Sequence, residues 1–308
     1  MTALKGSASA YFLRQLDYYG VEHGQLAPPA PRAQADPDSL VLAWEAPLSD
    51  LAPLRVERNH IAVFALRELT LAPGQQLRVQ GPWQERALLL IETLTLAAGA
   101  RLTLAMPTEL VVDNCLCQDG EAHFLLAGQA GARGLDGVPG TDGAAGDGPG
   151  QQGGAGGYGG NANAGSNGSD SSSARITIAC LHGNALFEIT AGAGGEGGEG
   201  GRGGRGGQGW MDPATKKMTV GGRGGTGGAG GQGGAGGNGG QMQVWIAALA
   251  PGAGYSTVLT AARGGAGGAG GRGGIPGLGH PDGALGLRGM DGSAGADGAL
   301  GRVEVHLV

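Results

Sequence analysis

Glycine returns every third residue over long stretches of this chain, and that spacing decides most of what it can fold into. Gly128, Gly131, Gly134, Gly137, Gly140, Gly143 and Gly146 make one such row, and another runs from Gly283 to Gly301. In 192–209 and 221–240 two of every three residues are glycine. The third position there holds Ala193, Glu196, Glu199, Arg202, Arg205 and Gln208, then Arg223, Thr226, Ala229, Gln232, Ala235 and Asn238. Three residues per turn is the period of the extended left-handed polyproline-II helix, which makes no hydrogen bond within itself. Its backbone N–H and C=O groups point sideways and need a neighbour or water. Two bare faces allow neighbouring segments to bond backbone to backbone, so the Gly-Gly-x runs predict inner packing elements. The Gly-x-y runs, with one bare face, predict edges or a collagen triple helix.

Collagen and disorder are the competing readings. Gly134-Leu-Asp-Gly-Val-Pro-Gly140 is collagen-like, but 15 prolines in 308 residues and short registers fit a triple helix poorly. The strict period sets the runs apart from a random Gly/Ser linker. Ordering glycine costs roughly 1 kcal/mol more than ordering alanine, so a bundle persists only where lateral bonding is nearly complete. Of 70 glycines, 17 lie in 128–173, 26 in 192–240 and 17 in 264–301. Each block breaks once, at Asp147 to Gln152, Trp210 to Met218 and Ile275 to Asp282. One reversal per block predicts about six polyglycine-II helices, each roughly 55 Å long at about 3.1 Å per residue.

Between and before the blocks the pattern changes to alternation. Residues 69–79, LTLAPGQQLRV, and 94–104, LTLAAGARLTL, repeat at an offset of 25, with shorter echoes at Leu51 to Val56 and Leu249 to Gly252. Pro-Gly corners suit type II turns rather than the primed turns of tight hairpins, so the corners predict a right-handed β-solenoid ahead of a β-sandwich. CQDGEAHFLLAG (117–128) and CLHGNALFEITAG (180–192) both place Phe seven residues after Cys, and Ala248 to Ala262 repeats the spacing with Tyr255. The expected organisation is therefore an all-β chain with little α-helix. Residues 1–39 form a docking segment and Pro-rich linker, and 40–127 the solenoid or sandwich base. In 128–308 the glycine blocks are interleaved with strands 174–191, 242–262 and 302–308.

A net charge of -6 without a basic cluster excludes a nucleic-acid footprint. No apolar signal-peptide core follows the N-terminus and no long apolar stretch is present, so membrane insertion is not expected. Three cysteines, Cys115, Cys117 and Cys180, fit buried thiols better than disulfides or a zinc site, and no cofactor or metal is implied.

The Gly-Gly-x rows at 192–209, 221–240 and 264–274 resemble the polyglycine-II adhesins at the tips of phage long tail fibres. That resemblance implies an N-terminal attachment domain and a helix bundle whose distal loops bind a host receptor. The run 227–238 also looks like mycobacterial PE_PGRS repeats, and the Gly-x-y runs resemble bacterial collagen-like proteins.

Candidate binding residues follow from the expected geometry. Trp210 stands at the bundle tip, where glycine offers nothing to bury it, with Lys216, Lys217, Tyr158, Asn161, Asn163, His280 and Asp282 as companions. An exposed ring beside polar loops suits sugar or protein recognition; a plug over the bundle end is the plainer role. Tyr11, Phe12, Leu16, Tyr18 and Tyr19 suggest a short helix, Ser9 to Tyr19, that either attaches the chain to a larger assembly or caps the first rung. The expected protein is thus non-enzymatic, structural and adhesive. Its partners are a surface glycan or protein receptor, a fibre or surface assembly, and a second copy of itself. A virion or cell surface reached without a cleaved leader is the expected location, and a cytoplasmic one also fits. An ice-binding face built from Ala229, Ala235, Ala266 and Ala269, and a polysaccharide lyase using Asp113, Glu121 and His123, are the alternatives.

Overall fold

The computed structural model describes residues 9–18, 40–42, 61–79 and 86–308. The Pro-rich segment, Tyr19 and the Leu51 to Val56 echo lie outside the described residues. Among the described residues one short helix, α1 (Ala10–Tyr18), precedes ten strands in a single sheet. They are β1 (Leu40–Leu42), β2 (Ile61–Leu71), β3 (Gln76–Val79), β4 (Arg86–Leu96), β5 (Arg101–Leu104), β6 (Thr108–Ala127), β7 (Ala174–Thr190), β8 (Gln241–Leu249), β9 (Gly254–Thr260) and β10 (Arg302–Leu307).

Every ladder between these strands is parallel. Two lines of strands result, β2-β4-β6-β7-β8-β10 and β1-β3-β5-β6-β7-β9, joined because β6 and β7 are long enough to run through both. The 25-residue repeat is the register itself, pairing Ile61 with Arg86 and Gln76 with Arg101. Its corners turn where expected: Gly74, Gly99 and Gly252 adopt φ of 72°, 69° and 79°, and Gln75, Ala100 and Ala253 donate N–H to the carbonyls of Ala72, Ala97 and Ala250 at 2.9–3.0 Å. Such turns carry the chain around a solenoid-like stack, so the described strands pair in parallel rather than as hairpins. Alternate residues point inward, and Leu77, Leu89, Leu94, Leu102, Phe124, Ile176 and Phe187 are fully buried in one continuous core.

Two alignments need correction. Phe124 does face Phe187, with centroids 5.2 Å apart, but Cys117 does not face Cys180, which pairs with Asn114. A register shift between Leu116 and Glu121 absorbs the difference. Tyr255 pairs with Ala185 rather than Phe187, because the corner before β9 is two residues longer than the corresponding corner of β7, although the two rings still meet at 6.4 Å. All three cysteines are free, Cys115 and Cys117 buried and Cys180 half-buried.

The glycine blocks leave the stack as six extended runs, 128–146, 151–172, 192–209, 219–240, 262–279 and 283–301, bonded to one another through their backbones. Strand ladders pass into them without a break: Gly128 donates to Thr190 at 3.0 Å, and Gly131 to Ala193 at 2.8 Å. The odd-numbered runs are linked side by side, as in Gly134 to Glu196 (2.8 Å) and Gly197 to Ala266 (2.9 Å). The even-numbered runs repeat this in a second layer, as in Gly156 to Arg223 (2.8 Å) and Gly230 to Met290 (2.9 Å). Between layers the second glycine of each triplet donates, for example Gly198 to Asn163 (3.0 Å), Gly231 to Gly198 (2.9 Å) and Gly268 to Gly231 (2.8 Å). A Cβ built on Gly230 would overlap the Gly268 carbonyl, and one on Gly231 the Asn163 carbonyl.

Outward-facing N–H groups are met by short side chains of the adjoining run. Asp136 and Asp142 accept from the N–H of Glu199 and Arg205 at 2.8 and 2.7 Å. Asn161 and Asn167 accept from Ala229 and Ala235, both at 2.9 Å. Asp291 and Asp297 accept from Gly270 and Gly264 at 2.7 and 2.8 Å. Each pair is spaced six residues apart, two turns of a three-residue period, so both members lie on one face.

Candidate functional site

At the end of the runs far from the stack, the three chain reversals are knitted into one cap. The first turns at Gly148 to Gly150, with Gly150 at φ 80° and the Gln151 N–H bonded to the Gly148 carbonyl at 3.0 Å. The second is a hairpin closed by an isolated Met211–Met218 bridge. Asp212 organises it. Its N–H donates to the Lys217 carbonyl and its carbonyl accepts from the Lys216 N–H, both at 2.8 Å. Its carboxylate accepts from the Ala214 N–H at 2.8 Å and the Thr215 hydroxyl at 2.5 Å. Those bonds, the hydroxyl's foremost, hold the Asp212 carboxyl below the ordinary aspartate range. Lys216 closes the turn in the left-handed region at φ 57°, a conformation that non-glycine residues seldom adopt.

The reversals join through Thr219 and Gln151. The Gln151 carbonyl accepts from the Trp210 N–H at 3.3 Å and from the Thr219 hydroxyl. Thr219 donates its N–H to Trp210 and accepts at its carbonyl from the His280 N–H, both at 2.9 Å. Trp210, Lys216, Lys217 and His280 are thereby brought together, Trp210 half-buried and the other three exposed. Asp282 is part of the same turn and accepts from the Gly279 N–H at 2.9 Å.

Tyr158, Asn161 and Asn163 are not brought to this cap. Tyr158 is 79% exposed on the second run, about 20 Å from Gln151 along an extended run. Asn161 holds the Ala229 N–H, and the Asn163 carbonyl accepts from Gly198. Three exposed apolar residues that the sequence reading passed over do stand near it: Met211, Ile275 and Leu278, the last accepting the Gly209 N–H at 2.8 Å. The signal was available, since Ile275 and Leu278 occupy third positions that elsewhere carry small or charged residues.

The two layers differ in what they show to solvent. The odd layer presents Arg133, Asp136, Asp142, Glu196, Glu199, Arg202, Arg205, Arg263 and Arg272, whereas the even layer carries fewer charges, Asp170, Arg223, Arg288, Asp291 and Asp297, together with exposed Tyr158, Leu285, Leu287, Met290 and Leu300. Ala229 and Ala235 lie in the even layer, but Ala266 and Ala269 belong to the fifth run and so to the odd one.

At the opposite end of the molecule, α1 lies on the outer side of the stack. Ser9 caps it, its hydroxyl accepting the Phe12 N–H at 3.0 Å and donating to the Asp113 carboxylate. The Ser9 N–H donates to Glu92 at 2.7 Å, and Glu92 also takes Arg67 at 3.0 Å. Phe12 and Leu16 are buried against Ala65, Leu88, Leu90 and Val111. Tyr11 and Tyr18 instead line an open cleft of about 560 Å³ with Arg14, Gln15, Glu109, Val111, Arg175 and Thr177. Burial, then the Asp113 charge, raises the Tyr11 phenol above its ordinary pKa. Beyond the cleft the Arg175 guanidinium sits 4.6 Å over Trp245, whose ring stacks on His306 at 5.4 Å. Asp113 and His123 lie on different lines of strands, Asp113 holding α1 and the His123 Nδ1 standing 3.8 Å from Glu188. The Glu121 side chain is outside the described residues. Among the described residues no cluster of His, Cys, Asp or Glu is arranged to hold a metal, and no helix is long and apolar enough to cross a membrane.

No family model and no characterised protein matches the chain. A search of solved structures returns the nine-helix polyproline type II bundle antifreeze protein of the springtail Granisotoma rainieri, 29% identical over 49% of this chain and 93% of that one. The superposition has a TM-score of 0.10 and carries no argument about architecture.

Proposed function

We propose that this is a non-enzymatic adhesive scaffold: a β-solenoid bearing six polyglycine-II helices whose far end presents a recognition cap to a surface glycan or protein receptor. The observation that carries the reading is the joining of three reversals through Gln151 and Thr219, which holds Trp210, Lys216, Lys217 and His280 on one rigid end. Recognition residues concentrate in loops fixed by a frame that need not itself change. An indole ring beside two ammonium groups suits an anionic glycan, the ring stacking on sugar and the cations meeting phosphate or carboxylate. The three-residue period and the lattice of lateral bonds support the helix assignment. Attachment to a larger fibre or surface assembly falls to the α1 end, through Tyr11, Tyr18 and the cleft they line, because Phe12 and Leu16 are engaged in the protein's own packing. The reading places the protein outside the cell or on a virion.

The test replaces Trp210 with Ala, Lys217 with Ala and Lys216 with Asn, which tolerates the left-handed turn. Binding to whole cells and isolated surface glycans should fall at least tenfold with the melting temperature unchanged. Undiminished binding by the folded variant rejects the cap as the recognition site. A second reading, ice binding, draws on the small residues of the second and fourth runs, Ala229 and Ala235 among them, and an ice-recrystallisation assay distinguishes it.

A further inference from the structure

Among the described residues, the stack ends on a rung that nothing covers. β10 bonds to β8 and β9 to β7, and neither has a partner on its other side. The Arg302 and Val308 N–H groups donate to the carbonyls of Gly240 and Ile246 at 3.0 and 3.1 Å. Alternation along the strand therefore turns the backbone groups of Val303, Val305 and Leu307 toward the open edge. Their side chains stand in register with Met242, Val244 and Ile246, all in the core. They continue that core by one layer, with Val303 and Val305 partly buried and Leu307 58% exposed. β9 does the same: Tyr255 and Leu259 follow buried Ala185 and Ile189 in register, yet are 40% and 41% exposed. An apolar interior that stops at an unpaired strand is both a sticky patch and a pairing template. Stacked repeats ordinarily end in a cap with a polar outer face.

We propose that a second copy of this chain covers this end, β10 pairing antiparallel with its counterpart about a two-fold axis through Val305. Such a contact is self-complementary, as a two-fold interface requires. Val305 meets its own counterpart, Val303 meets Leu307 of the other copy, and the open-edge N–H and C=O groups of all three find partners. The charges select this axis. Glu304 lies opposite His306 of the other copy, and His306 opposite Glu304, so the acidic residue that already holds Arg302 at 2.7 Å and stands 3.9 Å from its own His306 gains a further basic neighbour rather than a like charge. An axis through Glu304 would set Glu304 against Glu304 and Arg302 against His306. An axis through Val303 would leave Leu307 uncovered. The proposal stands apart from the adhesive reading, since it concerns the other end of the molecule.

Sedimentation equilibrium across the micromolar range tests it. The 308-residue chain should show twice the mass of one chain. Leu307→Asp, which buries a charge in the contact, should weaken the dimer about tenfold or more while the chain keeps the circular dichroism of the parent, because Leu307 is exposed within one chain. Val305→Cys should form a disulfide-linked dimer under mild oxidation, since directly bonded antiparallel residues lie about 5.5 Å apart at Cα, within disulfide range. Glu304→Cys, two residues out of register with itself, should link no faster than the parent chain. A single-chain mass at the highest concentration overturns the proposal. So does a dimer that Leu307→Asp leaves intact while Val305→Cys links no faster than the parent.

Discussion

The stack and the glycine runs solve one problem by opposite means. Both extend by backbone hydrogen bonds to the next turn of chain, the strands and each glycine layer running parallel while the two glycine layers run antiparallel to each other, and the ladder runs from the stack into the runs at Gly128 and Thr190. In the stack, Leu, Ile, Val and Phe bury apolar area, at about 25 cal/mol per Å². The runs bury almost no side chain. Glycine at two of three positions lets backbones approach so closely that N–H and C=O groups bond in two directions, and the strands fix where each run starts. One region tolerates loss of a contact but not of volume; the other tolerates no added volume at all.

That contrast can be broken from either side. The largest expected effect is in the stack, where Phe187→Ala removes a fully buried ring stacked on Phe124 and should cost about 3–5 kcal/mol in chemical denaturation. Next comes Gly231→Val, whose branched side chain would enter the Asn163 carbonyl; it should cost about 2–3 kcal/mol. Gln232→Val, one residue away with its side chain outward, should stay within about 0.5 kcal/mol. Equal melting temperatures for those two variants would mean that the glycine rows are not packed. Smaller still is Asn161→Ala, which leaves the Ala229 N–H to water and should cost about 0.5–1 kcal/mol.

The smallest effect is on pH dependence. Asp136 and Asp212 have folded pKa values below the ordinary aspartate value, Asp136 chiefly through the Glu199 N–H and Asp212 through the Thr215 hydroxyl. Their contribution is therefore complete above about pH 3.9 and fades as pH falls through the lower folded values. Trp210 fluorescence should report a loosened cap in that acid range, and Asp212→Asn should flatten the change.

Much of this was legible beforehand because period and chemistry agree. A 25-residue phrase with Pro-Gly corners gives the rung offset, and two glycines in three give runs with two bondable faces. Ser9, placed before an amphipathic stretch, marks the start of α1. What escaped was whatever depends on counting across an interruption. The Cys117 and Cys180 phrases look alike, yet a shift at a single corner moves them out of register. Tyr158 and Asn161 share a block with a reversal, yet stand far along the run from it. The Asp and Asn residues spaced six apart were written in the sequence, but their role emerges only once the neighbouring run is known to turn an N–H toward them.

Backbone amide exchange across 227–238 tests the central claim most directly. The account predicts a three-residue pattern. Gly228, Gly230, Gly231, Gly233 and Gly234, all bonded to neighbouring runs, should exchange slowly. Ala229 and Ala235, held by Asn161 and Asn167, should be intermediate. Gln232, whose N–H has no partner among the described residues, should exchange fast. Uniformly fast exchange through this segment would contradict the account.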